Sequence, residues 1–428
     1  MRAARTEDPA GAARRRGPAG ARARSLALAP ALVLLVLLGA GLAAGAGAAA
    51  AGAPAILAVR VVARAAEPGA PAASDAPLQA RLDTRVDLYV LALVRAGAGG
   101  GGGRRGGTGK GGARRWVGPP ELGTAVVRGK KVAVAPWDAA ALGPAPRIRW
   151  ARVEPRLDHE GAPGPTPGFS GYCNAMLGGP HHGKWLGLDR IAYFETPIAG
   201  ADDRWTLAAD AHPTEARGDV HGGLGTMRFA AALSADDGAT WVSSPGAATV
   251  DRNGIRDEVT RVSYRETDDL AGWLTSLFNV PEVFGSVEAQ AERYVGADCA
   301  DVIVAAVRAR GHRAVRYTFV DGLWKYTRPV APELSLSADG RLAPVAPADA
   351  RTAPALRWGA DVRRGDLVPI RYDGPADAYG GRHWPHVGVL YRDASDPAGP
   401  AHGGPDGVLD GFDLLLHMTH PALAVEEL

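Results

Sequence analysis

Residues 298–311 read DCADVIVAAVRARG, and this stretch decides the expected fold of the C-terminal third of the chain. Its apolar residues recur at spacings of three and four, which predicts one buried face of an α-helix. Asp298 is a suitable N-cap and Gly311 a suitable C-terminal stop. Cys299 then lies in the first turn, where backbone N–H groups and the helix dipole favour an anion. The sequence therefore predicts a lowered pKa for the Cys299 thiol. The alternative is a structural cysteine buried on an amphipathic helix.

Three predicted strands follow this helix, and two of them carry a histidine at one end. The first strand enters after Gly365-Asp366, the second begins with His386, and the third covers residues 412–417 and ends with His417. A cysteine, a histidine and a polar group that orients the histidine are the nucleophile, base and orienting residue of thiol catalysis. His420 is a second candidate for the orienting residue. Alternation along the third strand favours His417.

In this order the motifs resemble those of the NlpC-type cysteine peptidases, which are papain-like hydrolases of bacterial cell walls. The segments that carry the resemblance are DC (298–299), GDLV (365–368), HVGV (386–389), LH (416–417) and, more loosely, VPEVFGS (280–286). The resemblance implies an α+β papain-like domain over residues 266–428.

The resemblance also implies a mechanism in which the Cys299 thiolate attacks an amide or ester carbonyl. His386 accepts the thiol proton and later protonates the leaving group, while His417 orients the His386 ring. The Cys299 backbone N–H contributes to an oxyanion hole. Asp298, Asp301 and Tyr294 are then expected in the neighbourhood of the substrate and oxyanion.

Two departures from the family pattern bear on the substrate. Ala300-Asp301 replaces the usual Ser-Gly after the cysteine, which places a carboxylate close to the expected path of the substrate. The spacing between Cys299 and Asp366 is also long, which predicts an inserted hairpin around residues 317–326.

Residues 56–265 are predicted to form a β-rich region of one or two antiparallel sandwiches, of immunoglobulin-like type or similar. Short apolar stretches alternate there with clusters of Gly, Pro and Asp. Residues 97–112 form a glycine-rich insertion, which lacks the Ser or Thr that a phosphate-binding loop needs after its lysine. The candidate strands are 56–63, 85–94, 147–153, 190–195, 205–208, 226–233 and 259–264.

Residues 1–55 have the order of a secretory signal. Seven arginines precede an apolar run at residues 26–42, and an Ala/Gly tract follows. The alternative is a retained anchor, because residues 26–58 carry no charge. Either way the sequence predicts export to the periplasm or cell envelope, with residues 25–51 as an inner-membrane anchor if the segment is not cleaved.

The two cysteines of an exported protein would ordinarily suggest one disulfide. Cys299 is better explained as a free thiol, and Cys173 is then expected as a small buried hydrophobe.

The charge and histidine patterns narrow the expected partners. The formal net charge is +2, and the arginines of the leading segment account for the excess, so no basic face for nucleic acid is expected. His181, His182, His212 and His221 lack metal-ligand spacing, and neither a metal nor a cofactor is implied.

The expected function is that of an exported thiol hydrolase that cuts a peptide bond in peptidoglycan stems. One alternative keeps the fold but acts as an amidase, acyltransferase or ester hydrolase. Another is a catalytically inactive envelope binding protein. Asp301 favours these two alternatives, whereas Cys299, His386 and His417 favour an enzyme.

Overall fold

The computed structural model describes residues 55–95, 113–158, 172–173, 190–214, 221–345, 355–371, 384–419 and 422–428. Of the described residues, 41% lie in strands and 10% in helices. The expected α+β papain-like fold is therefore wrong, because this part of the chain is mostly β, with several sheets and five helices. The expected export segment and glycine-rich insertion lie outside the described residues, apart from Ala55. None of the described helices is long and apolar enough to cross a membrane.

The first large sheet contains six strands. Its order is β1 (Ala55–Ala65), β3 (Val86–Arg95), β4 (Arg114–Gly118), β6 (Lys130–Pro136) and β5 (Thr124–Val127), with β10 (Thr206–Ala208) paired to β3. The helix α1 (Ala139–Leu142) follows β6, and the Asp138 side chain caps it by accepting from the Ala140 and Ala141 N–H groups.

The second large sheet also contains six strands. Its order is β2 (Leu78–Arg81), β15 (Thr260–Arg265), β11 (Gly225–Ser234), β7 (Arg147–Asp158) and β9 (Arg190–Pro197), with β12 (Val242–Ser243) paired to β11. All seven strands predicted for this region coincide with observed strands. The prediction of antiparallel pairing throughout is wrong, since β4 pairs with β6 and β2 with β15 in parallel.

The two sheets share one apolar core. Val59 and Leu88 of the first sheet meet Trp150, Phe229 and Val262 of the second, and all five side chains are buried. Burial of each such side chain stabilises the fold by about 1.5–3 kcal/mol. A side-chain bond also links the two sheets, because Thr260 Oγ1 donates to the Val61 carbonyl at 2.6 Å across 199 positions of sequence.

Two small two-stranded sheets lie outside the two large sheets. They pair β13 (Val250–Asp251) with β14 (Gly254–Ile255), and β8 (Tyr172–Cys173) with β16 (Val283–Phe284).

The C-terminal elements place a helical layer on a four-stranded antiparallel sheet. The helices are α2 (Leu270–Thr275), α3 (Glu288–Glu292), α4 (Cys299–Ala309) and α5 (Val320–Leu323). The sheet has the order β19 (Leu367–Ile370), β20 (His386–Arg392), β21 (Leu414–Met418) and β22 (Leu423–Glu427). The helix predicted from Cys299 is confirmed. Helices α2 and α3 are short, with six and five residues.

The sheet is apolar on both faces. Val387 and Val389 of β20 share a core with α4, whereas Leu390 of β20 and Leu415 of β21 belong to a separate core on the other face. The long connection after α4 does contain a hairpin, but it pairs β17 (Leu334–Leu336) with β18 (Leu342–Pro344). The predicted position, residues 317–326, is occupied by α5 instead.

The loop after α2 packs directly on the second large sheet. The Thr226 N–H donates to the Phe278 carbonyl at 2.9 Å, and Thr226 Oγ1 donates to the Ser276 carbonyl at 2.8 Å. A Cβ on Gly225 would stand 2.6 Å from the Phe278 carbonyl oxygen, so only glycine allows this approach. The C-terminal elements are thereby fastened to β11.

Candidate active site

The start of α4 is held by Asp298 and Ser286. Asp298 has the extended backbone of an N-cap residue, and its Oδ1 accepts from the N–H groups of Ala300 (3.0 Å) and Asp301 (2.8 Å). Ser286 Oγ accepts from the Asp298 N–H at 3.1 Å. The predicted N-cap is therefore confirmed, and it places Cys299 at the first helical position.

The Cys299 side chain lies against the beginning of β20. It packs against the core that contains Val387, one residue after His386, and the Val387 backbone N–H acts to lower the pKa of its thiol. Cys299 is a free cysteine, so it forms no disulfide with Cys173, whose side chain lies outside the described residues.

His386 and His417 are in direct contact on the neighbouring strands β20 and β21. His386 Nε2 and His417 Nδ1 are 2.8 Å apart, and the two rings meet edge to face at an interplanar angle of 80°. Both side chains lie on the face of the sheet that carries Leu390 and Leu415, because side chains alternate along a strand. Val387 and the α4 core are on the other face, and Cys299 packs against the core on that side, near the beginning of β20.

Glu426 completes this arrangement, and sequence reasoning missed it. His417 Nε2 is 3.0 Å from Glu426 Oε2. In the β21–β22 ladder His417 stands opposite Ala424, so Glu426 is its diagonal neighbour on the same face. The alternation of residues 423–427 was the available signal, but no strand was predicted there.

The electrostatics around Cys299 differ from the prediction. Burial raises the pKa of the Cys299 thiol, the nearby Asp298 carboxylate raises it further, and the Val387 N–H only partly opposes them. Burial lowers the pKa of His386 to about 4, with a smaller contribution from His417. The expected lowered thiol pKa is therefore wrong, and the resting pair is a neutral thiol and a neutral imidazole.

Asp301 is buried near the start of α4, whereas it was expected beside the substrate. It is 6% exposed, and Ser286 Oγ donates to its Oδ2 at 2.6 Å. Burial raises the pKa of Asp301, as does the neighbouring Asp298. Glu282 lies in the same region, and burial followed by Asp298 raises its pKa to about 8. Asp301 is therefore part of the buried core.

Tyr294 also lies in the core instead of beside a substrate. It is 3% exposed, its hydroxyl is 3.0 Å from Ser276 Oγ, and the Arg261 guanidinium lies 4.0 Å from its ring centroid. Its position differs from the expectation because the residue takes a φ of 57°, which ends α3 and turns the ring toward β15.

Of the remaining candidate histidines, the structure describes His212 and His221. His212 Nδ1 is 3.0 Å from Asp210 Oδ1, and His221 stacks on Phe278. His181, His182 and His420 lie outside the described residues. Within the described ranges, no group of three or more His, Cys, Asp or Glu side chains could hold a metal ion.

Comparison with protein-family models, with curated proteins and with solved structures gives no match to this chain.

Proposed function

We propose that this protein is a thiol hydrolase that cleaves an amide bond in a cell-wall peptide, with Cys299 as nucleophile and His386 as base. The observation that carries the proposal is the 2.8 Å contact of His386 Nε2 with His417 Nδ1. It holds the imidazole at the start of β20, next to Val387, whose backbone N–H acts to lower the pKa of the Cys299 thiol. The proposal rests on this local arrangement and on the motif order, not on a papain-like fold.

The proposed reaction starts from the neutral pair. As the Cys299 sulfur bonds the carbonyl carbon, its proton passes to Nδ1 of His386, since Nε2 contacts His417. The Cys299 backbone N–H stabilises the oxyanion. The C–N bond then breaks, and the amine leaves with the proton from His386. Water attacks the thioester, gives one proton to His386, and the C–S bond breaks to restore the thiol.

The substrate class rests on the predicted export and on the resemblance to cell-wall peptidases. An amidase or acyltransferase would use the same nucleophile and base. Release of peptide fragments from peptidoglycan would indicate the proposed cell-wall hydrolase. Cleavage of simple acyl esters without such release would indicate one of the alternative activities.

The test uses the full-length protein incubated with purified peptidoglycan, with mass spectrometry of the released peptides. We expect fragment release by the wild type, and loss of at least about 100-fold in rate for Cys299→Ala and for His386→Gln. Cys173→Ala is the matched control, because it removes the other cysteine of the chain. Release of fragments by Cys299→Ala at the wild-type rate would refute the proposal.

One observation favours a second candidate, an envelope binding protein without catalysis. Burial disfavours both the Cys299 thiolate and the His386 imidazolium, and His386 faces away from α4. A binding protein would retain wild-type affinity for peptidoglycan in Cys299→Ala while neither form releases fragments.

A further inference from the structure

The strand pairing of β21 and β22 gives His417 a carboxylate partner. Glu426 Oε2 is 3.0 Å from His417 Nε2, and His417 Nδ1 is 2.8 Å from His386 Nε2. Three side chains therefore form one hydrogen-bonded row on a single face of the sheet. His417 is its central member, and only 8% of the residue is exposed.

The chemistry of these groups fixes the direction of both hydrogen bonds. An ionised carboxylate only accepts, so His417 Nε2 must carry the proton that it donates to Glu426. A neutral imidazole has one N–H, so His417 Nδ1 is then an acceptor. His386 Nε2 must donate to it, which leaves the lone pair of the neutral His386 ring on Nδ1.

We propose that Glu426 is a positioning residue that sets the tautomer of His417 and, through it, the tautomer of His386. The tautomers follow from the hydrogen-bonded row alone. The catalytic consequence rests on the proposed function, because Nδ1 of His386 is the atom assigned to the thiol proton.

The charge of Glu426 contributes little to this role. The Glu426 side chain is 56% exposed, and exposed ion pairs contribute little to stability. What matters is that residue 426 accepts and does not donate. A hydrogen-bond donor at position 426 would reverse the direction of both hydrogen bonds in the row. A change of charge elsewhere on β22 would not.

The chain offers a matched control one residue away. Glu427 is exposed, and alternation places its side chain on the other face of β22 from Glu426. Glu426→Lys and Glu427→Lys therefore make the same change in net charge, but only Glu426→Lys puts a donor beside His417 Nε2.

The experiment is 15N spectroscopy of the full-length protein labelled only at its 11 histidines, near neutral pH. His386→Gln and His417→Asn assign the two rings. In the wild type we expect protonated, pyrrole-type shifts at Nε2 of both rings and unprotonated, pyridine-type shifts at both Nδ1 atoms. Glu426→Lys should exchange or mix these shifts in both rings, and Glu427→Lys should leave them unchanged.

Three results would overturn the proposal: a wild-type His386 protonated at Nδ1, a His417 ring protonated at both nitrogens, or unchanged shifts in Glu426→Lys. Glu426→Gln keeps a carbonyl acceptor and should retain the wild-type shifts. A purely structural role for Glu426 would change the melting temperature without exchanging the tautomers.

Activity measurements separate this proposal from the proposed function. In an active enzyme, Glu426→Lys should lower kcat/KM by up to roughly 100-fold, the lower end of what a general base contributes. If the shifts exchange but kcat/KM does not change, the tautomer set by Glu426 does not matter for catalysis. If the wild type is inactive while the shifts behave as expected, the proposed function falls and the tautomer assignment stands.

Discussion

The thiol of Cys299 is subject to opposing influences at the start of α4. The Val387 and Ala300 N–H groups favour the thiolate, whereas burial and the carboxylates of Asp298 and Glu282 oppose it more strongly. The helix start alone would lower the thiol pKa. Burial prevails because a thiolate packed against apolar side chains loses part of its hydration.

This balance predicts the reactivity of the thiol. In Cys173→Ala, where Cys299 is the remaining cysteine, alkylation by iodoacetamide should rise about tenfold per pH unit up to at least pH ~9. The sign follows from the raised pKa, since the thiolate fraction keeps growing while the pH is below that value. Mass mapping identifies the alkylated residue. A fast plateau already at pH ~6 would contradict this expectation, because it would reveal a preformed ion pair with His386.

At the scale of single elements, Gly388 controls how closely β20 and β21 approach at the histidine pair. A Cβ on Gly388 would lie 3.3 Å from Cβ of His417 and 3.4 Å from Cδ1 of Leu415. The contact with His417 is tighter than usual, so the neighbouring strand would have to shift by a few tenths of an ångström. Glycine therefore permits the short His386–His417 contact on this face.

Gly388→Ala should weaken that contact without removing any of its polar groups. We expect a loss of about 1–3 kcal/mol in the free energy of unfolding from overpacking, and a fall in kcat/KM larger than any change in KM. Urea titration and steady-state kinetics measure the two effects. Wild-type kinetics in Gly388→Ala would show that the spacing of the histidines does not matter.

The elements that the sequence predicted are those encoded by local periodicity. The seven strands, the helix at Cys299 and the strands at residues 367–370 and 386–391 follow from the spacing of apolar residues over one element. Burial of Asp301 and Tyr294 depends on Ser286 and Arg261, which arrive from other elements. Glu426 was missed because its partner His417 is a neighbour only across the β21–β22 ladder.

The fold class was mispredicted because it depends on the whole chain, whereas the prediction used short motifs. The motifs used were five short segments, and they say little about the chain between them. Residues 334–344 form a hairpin, and α2, α3 and α5 are each six residues or fewer, so strands outweigh helices. A site can be assembled from local motifs on a mostly β scaffold.

The close contact at Gly225 connects the C-terminal elements, which carry the candidate site, to the second large sheet. Gly225 has a φ of +112°, and an added Cβ would clash with the Phe278 backbone, whereas nothing lies within 4 Å of a Cβ on Gly222. Gly225→Ala should lower the free energy of unfolding by about 2–4 kcal/mol, combining a positive φ with the clash. Gly222→Ala, at a φ of +58°, should cost only about 1 kcal/mol. Equal losses in the two variants, measured by thermal unfolding, would refute a tight junction.

The bond from Thr260 to Val61 also has a consequence for the order in which the chain acquires its structure. Strand β1 (AILAVRVVARA) is made before β15, and the Thr260 side chain that bonds to it lies 199 positions later in the sequence than Val61. Contacts of such long sequence separation require a large loss of chain entropy before they return any stabilisation, so folding is expected to be slow. In its described sheet β1 is the end strand, paired with β3, and an apolar end strand is the kind of segment that associates with other chains. Newly made protein should therefore depend on protection of this strand until β15 is available.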